Sequence, residues 1–315
     1  MIITTSSLRA MFKGFQVLFK NGMTMAEPWA SKVARTVPST GEEETYTWLT
    51  AIPSLRHWVG PRVIENLRTR GFTIKNKPFE GTLGVEREKI EDDKFGIYGD
   101  YASLLGQQAA KHPDNCIAPI FLFGEQVLYV DPLIGPVSLV VYDGQPLFSD
   151  VHPIDQDDPN SVVQSNYYPS GMPLTPDNYE LVRANMRSLV DVNGRKLGIK
   201  PDTLIVSPQK ESTGKRIVEA ETIARGNSQE DNVNQGTAEV LVLEELSDDP
   251  NAWFLAMLKN PVMRPIMHQE RQKPRFQALM NGSEYAFINN QYLAGVDCRG
   301  NAAPAVWQSI AKCRP

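Results

Sequence analysis

The stretch from Gly71 to Pro113 constrains this chain more than any other: GFTIKNKPFEGTLGVEREKI, then EDDKFGIYGDYASLLGQQAAKHP. In its first half Phe72 and Ile74 alternate with polar residues, a turn-like Asn76-Lys77-Pro78 follows, and Leu83, Val85 and Ile90 sit among charges. That pattern predicts two extended runs. A two-stranded ribbon this polar has no face to bury alone, and isolated hairpins are marginal in water, so it needs another surface to lie on. The second half predicts a helix. Asp92 and Asp93 suit its N-cap and the positive end of its dipole, Pro113 stops it, and Phe95, Tyr98, Ala102, Leu105 and Ala109 share one apolar face. Gly96, Gly99 and Gly106 fall inside it, each costing about 1 kcal/mol against alanine. Such a helix depends on packing and is able to bend.

A chain of 315 residues with 41% hydrophobic and 22% charged residues buries a sizeable core and has room for about two domains. No apolar run approaches the ~20 residues of a membrane span, so no membrane partner is expected. Nothing in the net charge of -5 suggests a protein that wraps DNA tightly. Cys116, Cys298 and Cys313 are an odd set with no CxxC pair, which argues against a disulfide framework or a zinc site and suits a reducing cytoplasm.

Residues 1–26 hold no acid, carry Arg9, Lys13 and Lys20, and place Leu8, Met11, Phe12, Phe15, Leu18 and Phe19 at helical spacing. The pattern fits a transit peptide or a membrane-surface helix, but an amphipathic arm packed on protein is the simpler reading. An extended connector over 27–45 leads to a segment whose Trp48 and Trp58 predict a packing cluster. Asp114 is placed to cap a short apolar helix ending at Gly124. Residues 160–174, rich in Pro, Ser and Asn, read as a boundary. Beyond it the grammar is α/β: a helix from Thr175 with Tyr179, Val182, Met186 and Leu189 on one face, a strand over 202–206, and a second helix from Ser207-Pro208 to Arg225. A polar loop over 226–236, strands over 238–246 and 251–258, and closing strands that alternate in antiparallel fashion complete the chain.

Four segments resemble the Mu-like phage major head subunit family in the family's order: the WL…P.LR.W.G.R pattern around Trp48, Trp58, Gly60 and Arg62; NKPFEGTLGVEREKIEDDKFGIYGDYASLLGQQAAKHPD; YDG..LFS..HP; and NNQYLAGVDCRGNAAPAVWQ. DTLIVSP, leading into a helix, resembles the apical domain of tailed-phage capsids. QVLYVDPLIGPVSLV, residues 126–140, looks like an insertion against the family pattern, either an extra ribbon or a contact loop. The resemblance implies an α+β chain of the Hong Kong 97-like capsid fold. Its expected parts are an N-terminal arm (1–45), an extended β-ribbon loop (71–92), a peripheral domain with a long spine helix (46–70, 93–160 and 262–315) and an α/β apical domain (161–261). It further implies self-assembly into hexamers and pentamers of an icosahedral shell in the virion, built in the host bacterial cytoplasm. That shell encloses double-stranded DNA without sequence-specific contact, and scaffold, portal and decoration proteins are the other implied partners. An encapsulin-like compartment is the alternative of the same fold.

No catalytic, cofactor-binding or metal residue is assigned. Gly214-Lys215-Arg216 lacks the earlier glycine and the following Ser or Thr of a phosphate loop. Asp150, His152, Asp155, Asp157 and Asp158 cluster without EF-hand spacing and are read as a solvated loop; a metal-dependent α/β hydrolase using His152 is the enzyme alternative. His57, His112, His152 and His268 form no HExxH, and there is no GxSxG elbow. Some capsids of this fold crosslink a loop lysine to an asparagine. Lys75, Lys77 or Lys89 and Asn289 or Asn290 are available for that chemistry, but lysines in a polar ribbon are read as solvated.

Overall fold

The computed structural model describes residues 5–49, 57, 69–92, 96–225, 228–279 and 283–315. The arm forms as a helix, α1 (Thr5–Met25), followed by the short α2 (Ala30–Val33), β1 (Ala34–Pro38) and β2 (Glu43–Leu49). The two runs expected to form one ribbon become β3 (Thr69–Lys75) and β4 (Lys77–Glu86), yet they do not pair with each other. β3 pairs antiparallel with β2, and β4 pairs antiparallel with a strand near the C-terminus. The physical reason lies at the turn-like Asn76, whose backbone N–H and side chain are claimed by residues 39–42, so the chain passes straight through instead of reversing. The ribbon is therefore built from β2 and β3; of the two tryptophans expected to cluster, Trp48 lies in β2 and Trp58 lies outside the described residues.

The helix also differs at both ends. Asp92 is the C-cap of a separate short helix, α3 (Arg87–Glu91), while Asp93 and Phe95 lie outside the described residues. The long helix α4 (Ile97–Phe123) begins after Gly96, which takes φ 71° at the N-cap, a left-handed conformation that costs glycine nothing. It then runs through Pro113 and Pro119 for 27 residues without stopping. Each proline gives up one helical hydrogen bond. Burial of Cys116, Ile117, Ile120 and Phe121 in the main core holds the helix across them. Asp114 is thus not an N-cap but an interior residue that binds the arm.

Residues 126–140 form a hairpin of β5 (Leu128–Asp131) and β6 (Gly135–Ser138). Two short strands, β7 (His152–Pro153) and β8 (Val163–Gln164), pair with each other. A third, β9 (Tyr167–Tyr168), leads into α5 (Pro176–Ser188), capped by the Thr175 hydroxyl. Strand β10 (Thr203–Val206) and α6 (Glu211–Val218) follow. The helix stops well before Arg225, because β11 (Thr222–Arg225) and β12 (Ser228–Asp231) turn back as a hairpin. Then come β13 (Glu239–Val242), β14 (Trp253–Ala256), β15 (Ile266–Leu279), α7 (Glu284–Asn289), β16 (Gln291–Pro304) and β17 (Ile310–Cys313).

Two sheets organise these elements. A five-stranded sheet in the order β13-β10-β14-β17-β9 is fully buried at its centre, where every residue of β10, β14 and β17 is inaccessible. Central strands buried on both faces read as continuous apolar runs, which is how LIV, WFLA and IA appear in the sequence. The fourth strand of this sheet is β17, residues 310–313, at the end of the chain. A four-stranded sheet in the order β1-β15-β16-β4 carries the two 14-residue strands β15 and β16, joined at their far end by the α7 turn. A single core cluster runs from Trp29 and the second half of α4 through α5 to the five-stranded sheet.

Candidate assembly surfaces

The root of the β2–β3 ribbon is a clasp of buried amides. Gln269 is inaccessible on β15; its Nε2 donates to Asn76 Oδ1 (2.7 Å) and to Ile74 O (3.2 Å), while its Oε1 accepts from Tyr46 Oη (2.8 Å). Asn76 Nδ2 in turn donates to Ser39 Oγ and Gly41 O. Glu44 closes the turn by accepting from Thr40 N (2.7 Å) and Gly41 N (3.0 Å), and these two N–H groups hold its carboxyl below the usual range. Above Ile74 the ribbon is largely exposed, its strands bridged at Thr45 and Thr73 hydroxyls. It is a polar ribbon fixed at one end, built from β2 and β3 and not from the 71–92 stretch that the sequence pattern pointed to. Two polar residues that burial forces into mutual satisfaction, Asn76 and Gln269, looked like ordinary surface residues.

The arm helix α1 lies along α4 rather than extending away. Phe12 and Phe19 are buried, and Phe12 packs edge-on against Phe15 and Tyr292. The approach is close enough to require glycine. A Cβ on Gly106 would come to 2.1 Å from Phe19 O, and one on Gly22 to 2.0 Å from Ser103 O. Gly99 faces only the end of the Leu18 side chain, at 2.9 Å. The base of the arm is held from two sides: Ala30 N donates to Asp114 Oδ1 (2.7 Å), and Trp29 Nε1 donates to Glu245 Oε2 (3.0 Å). Burial raises Asp114 from 3.8 to about 6, against the lowering effect of the Ala30 and Trp29 N–H groups.

At the other end of α4, the inaccessible Lys312 on β17 donates to Phe121 O, Leu122 O and Glu125 Oε2 (2.7–2.9 Å). A buried ammonium is costly unless fully paired. Here it satisfies the orphan carbonyls that every helix C-terminus leaves and locks the spine to the five-stranded sheet. Burial lowers its pKa despite the Glu125 charge.

The remaining polar candidates do not assemble into a reactive centre. His152 is inaccessible, its Nδ1 2.7 Å from Asp143 Oδ2 and its ring stacked on Trp307 at 4.0 Å. The Asp155 and Asp158 carboxylates accept from Asp157 N and Asn160 N, which closes local turns. Among the described residues no group of His, Cys, Asp and Glu is arranged to hold a metal ion, and no helix is long and apolar enough to cross a membrane. Gly214 packs on Leu204, Val206 and Val240 inside α6, and Lys215 pairs with Glu211. Lys75 pairs with Glu42 and Lys89 with Glu86. Lys77 Nζ donates to Ile134 O (2.9 Å) and also to Pro136 O, and so holds the 126–140 hairpin down. Asn289 Nδ2 donates to Tyr285 O, and Asn290 caps α7 in a left-handed conformation. His57 is exposed, and His112 lies against Phe79 at 4.2 Å.

The family model for the Mu-like prophage major head subunit gpT matches residues 8–172, 167–246 and 243–314. The major capsid protein of Escherichia phage Mu is 35% identical over 154 residues, 49% of this chain and 47% of that protein. The Mu-like prophage FluMu major head subunit of Haemophilus influenzae is 29% identical over 220 residues, 69% of this chain and 64% of that protein. The aligned regions thus span from about half to just under two thirds of these relatives. A chain of the procapsid of bacteriophage JBD30 superposes with a TM-score of 0.60 at 24% identity, covering 99% of this chain and 76% of that one. That likeness shows the fold, an α+β capsid fold of the Hong Kong 97-like kind. With the family match extending from the arm helix to the last strand, the chain belongs to the Mu-like prophage major head subunit family.

Proposed function

We propose that this chain is the major head subunit of a Mu-like phage or prophage and assembles with copies of itself into an icosahedral shell of hexamers and pentamers. The family match supports the reading, and the observation that carries it in the structure is the β2–β3 ribbon. It is clasped at its root by Gln269 and Asn76 and otherwise offers a polar, two-stranded surface to a neighbour. We assign the extended loop to residues 43–75, in place of 71–92, with the arm before it and α4 as the spine. The shell encloses double-stranded DNA by containment, since a net charge of -5 provides no general attraction for phosphate. Scaffold, portal and decoration proteins are the further partners of this reading, and the host bacterial cytoplasm is its site of assembly. An encapsulin-like container shares the fold, but the family match favours the phage head. The hydrolase reading loses support, because His152 is inaccessible to a substrate, with its ring stacked on Trp307, and among the described residues no His, Cys, Asp and Glu group is arranged to hold a metal ion.

Replacing residues 47–71 with a short turn, which keeps Tyr46 on Gln269, tests the ribbon. The outcome expected is a folded subunit, with Ile74, Asn76 and Gln269 still packed, that forms no closed shells in electron micrographs. Shells of normal size from the shortened chain would refute the assignment.

A further inference from the structure

Strand β4 leaves one of its two sides empty. It pairs with β16 from Lys77 opposite Gly300 to Glu86 opposite Gln291 without a bulge, and Arg87 N then donates to Asn290 O (3.0 Å). Opposed residues of an antiparallel ladder alternate between bonded and non-bonded pairs. Back from the Arg87–Asn290 bond, Val85, Leu83, Gly81, Phe79 and Lys77 turn their main-chain groups toward β16. Gly84, Thr82, Glu80 and Pro78 turn theirs outward. These four residues are exposed, and among the described residues no hydrogen bond reaches their main-chain groups. The row ends at Glu86, which caps α3. Pro78, lacking an N–H, stands in the outward set, where an edge strand tolerates it.

The opposite edge of the same sheet is closed. β1 is five residues long, Arg264 Nη1 donates to Ala34 O (2.7 Å), and Pro38 has no N–H to offer. The five-stranded sheet ends in β9 and β13, of two and four residues. Proteins keep edges from recruiting strands by such shortness, or by proline, cover or charge. β4, ten residues long, has Pro78 near one end and otherwise only charge, and that charge is unbalanced. Glu80 stands directly opposite Asp297, a like-charge pairing that costs stability. Arg275 is committed to Asp297 (3.1 Å), Arg299 lines the cleft at the ribbon root with Glu42 and Lys75, and Lys89 pairs with Glu86. Glu80 has only the Thr82 hydroxyl, which donates to its Oε2 (2.7 Å).

We propose that the open side of β4, from Pro78 to Gly84, takes an extended strand of a second copy of this chain, with a lysine or arginine of that strand beside Glu80. The proposal rests on the self-assembly reading above and adds the edge at which two copies share main-chain hydrogen bonds. A cation at that place offsets the repulsion between Glu80 and Asp297, which is what selects a basic strand. β4 itself does not fit: past Lys77 it holds no cation, so two copies of β4 side by side add carboxylate to carboxylate. The join is therefore heterologous, one edge receiving a different strand, the kind of contact that closes rings.

The test is amide hydrogen exchange, read residue by residue, on the full chain before assembly and in shells formed from the purified chain alone. In the unassembled subunit Phe79, Gly81, Leu83 and Val85 are expected to exchange slowly, and Glu80, Thr82 and Gly84 fast. In the shells those last three should slow by at least about tenfold, since only another copy is present to cover them. Glu80→Lys should melt no lower than the wild-type chain, because it faces Asp297, yet reduce shell yield about tenfold by setting cation against cation. Fast exchange at Thr82 and Gly84 in closed shells would overturn the proposal and leave the self-assembly reading standing. So would a Glu80→Lys chain that assembles at the wild-type yield. A purified chain that forms no shells would overturn both.

Discussion

At the scale of single residues, the glycines of α4 show what the sequence pattern did and did not convey. Their cost in helix propensity was evident, and it admitted two explanations, bending or close approach. The structure supports close approach at Gly106, where the main chain of α1 occupies the space a methyl group would need. Gly106→Ala should therefore lower subunit stability by about 1–3 kcal/mol through overpacking. Gly99→Ala meets only a movable leucine end and should be near neutral, with up to about 1 kcal/mol of propensity regained. Denaturant unfolding followed by circular dichroism separates the two; equal effects would show that bending, not contact, selects glycine here.

Two buried titrating residues act in opposite directions, which gives the subunit a testable pH profile. The folded pKa of Asp114 is raised to about 6, chiefly by burial. The folded state thus binds that proton more tightly, and the stability from this group is complete below about pH 4 and lost as pH rises through 6. His268 is lowered from 6.5 to about 4 by burial and by the neighbouring His112. Its contribution is present above about pH 6.5 and is lost as pH falls toward 4. His268→Gln should therefore reduce acid destabilisation between pH 6.5 and 4, while Asp114→Asn should remove the opposing gain and make the subunit more acid-sensitive. Melting curves at pH 4.5 and 7 read both changes, and parallel shifts in the two variants would contradict the assignment.

At the scale of elements, the strands of the buried sheet were legible because apolar runs such as LIV over 204–206 leave few alternatives. The arm's amphipathic stripe likewise identified Phe12 and Phe19 as buried. Pairing was not legible for β3 and β4, since both are polar and their partners sit far away in sequence. Nor was the full length of α4, because Pro113 is a local stop signal that tertiary burial overrides. Lys312 is the clearest omission: a lone lysine in an alternating segment reads as solvent-exposed, yet it closes the spine helix. Lys312→Met should cost about 1–3 kcal/mol, because the Phe121 and Leu122 carbonyls lose their donor while Glu125 keeps Arg314 as its partner. Thermal unfolding checks this, and a variant as stable as wild type would show that the lysine is dispensable to the join.

At the scale of the whole molecule, the chain places its apolar core around the five-stranded sheet and the second half of the spine helix, and extends surfaces that the core does not need. These are the β2–β3 ribbon, the 126–140 hairpin and the α7 tip. Function was legible through a family resemblance carried by peculiar residue strings, and not through any reactive constellation, because the work of such a subunit is contact between copies. The most direct measurement is electron microscopy of the purified full chain under conditions that favour association. The account predicts closed shells of uniform diameter. A soluble monomer that persists at high concentration, with no particles, would contradict it.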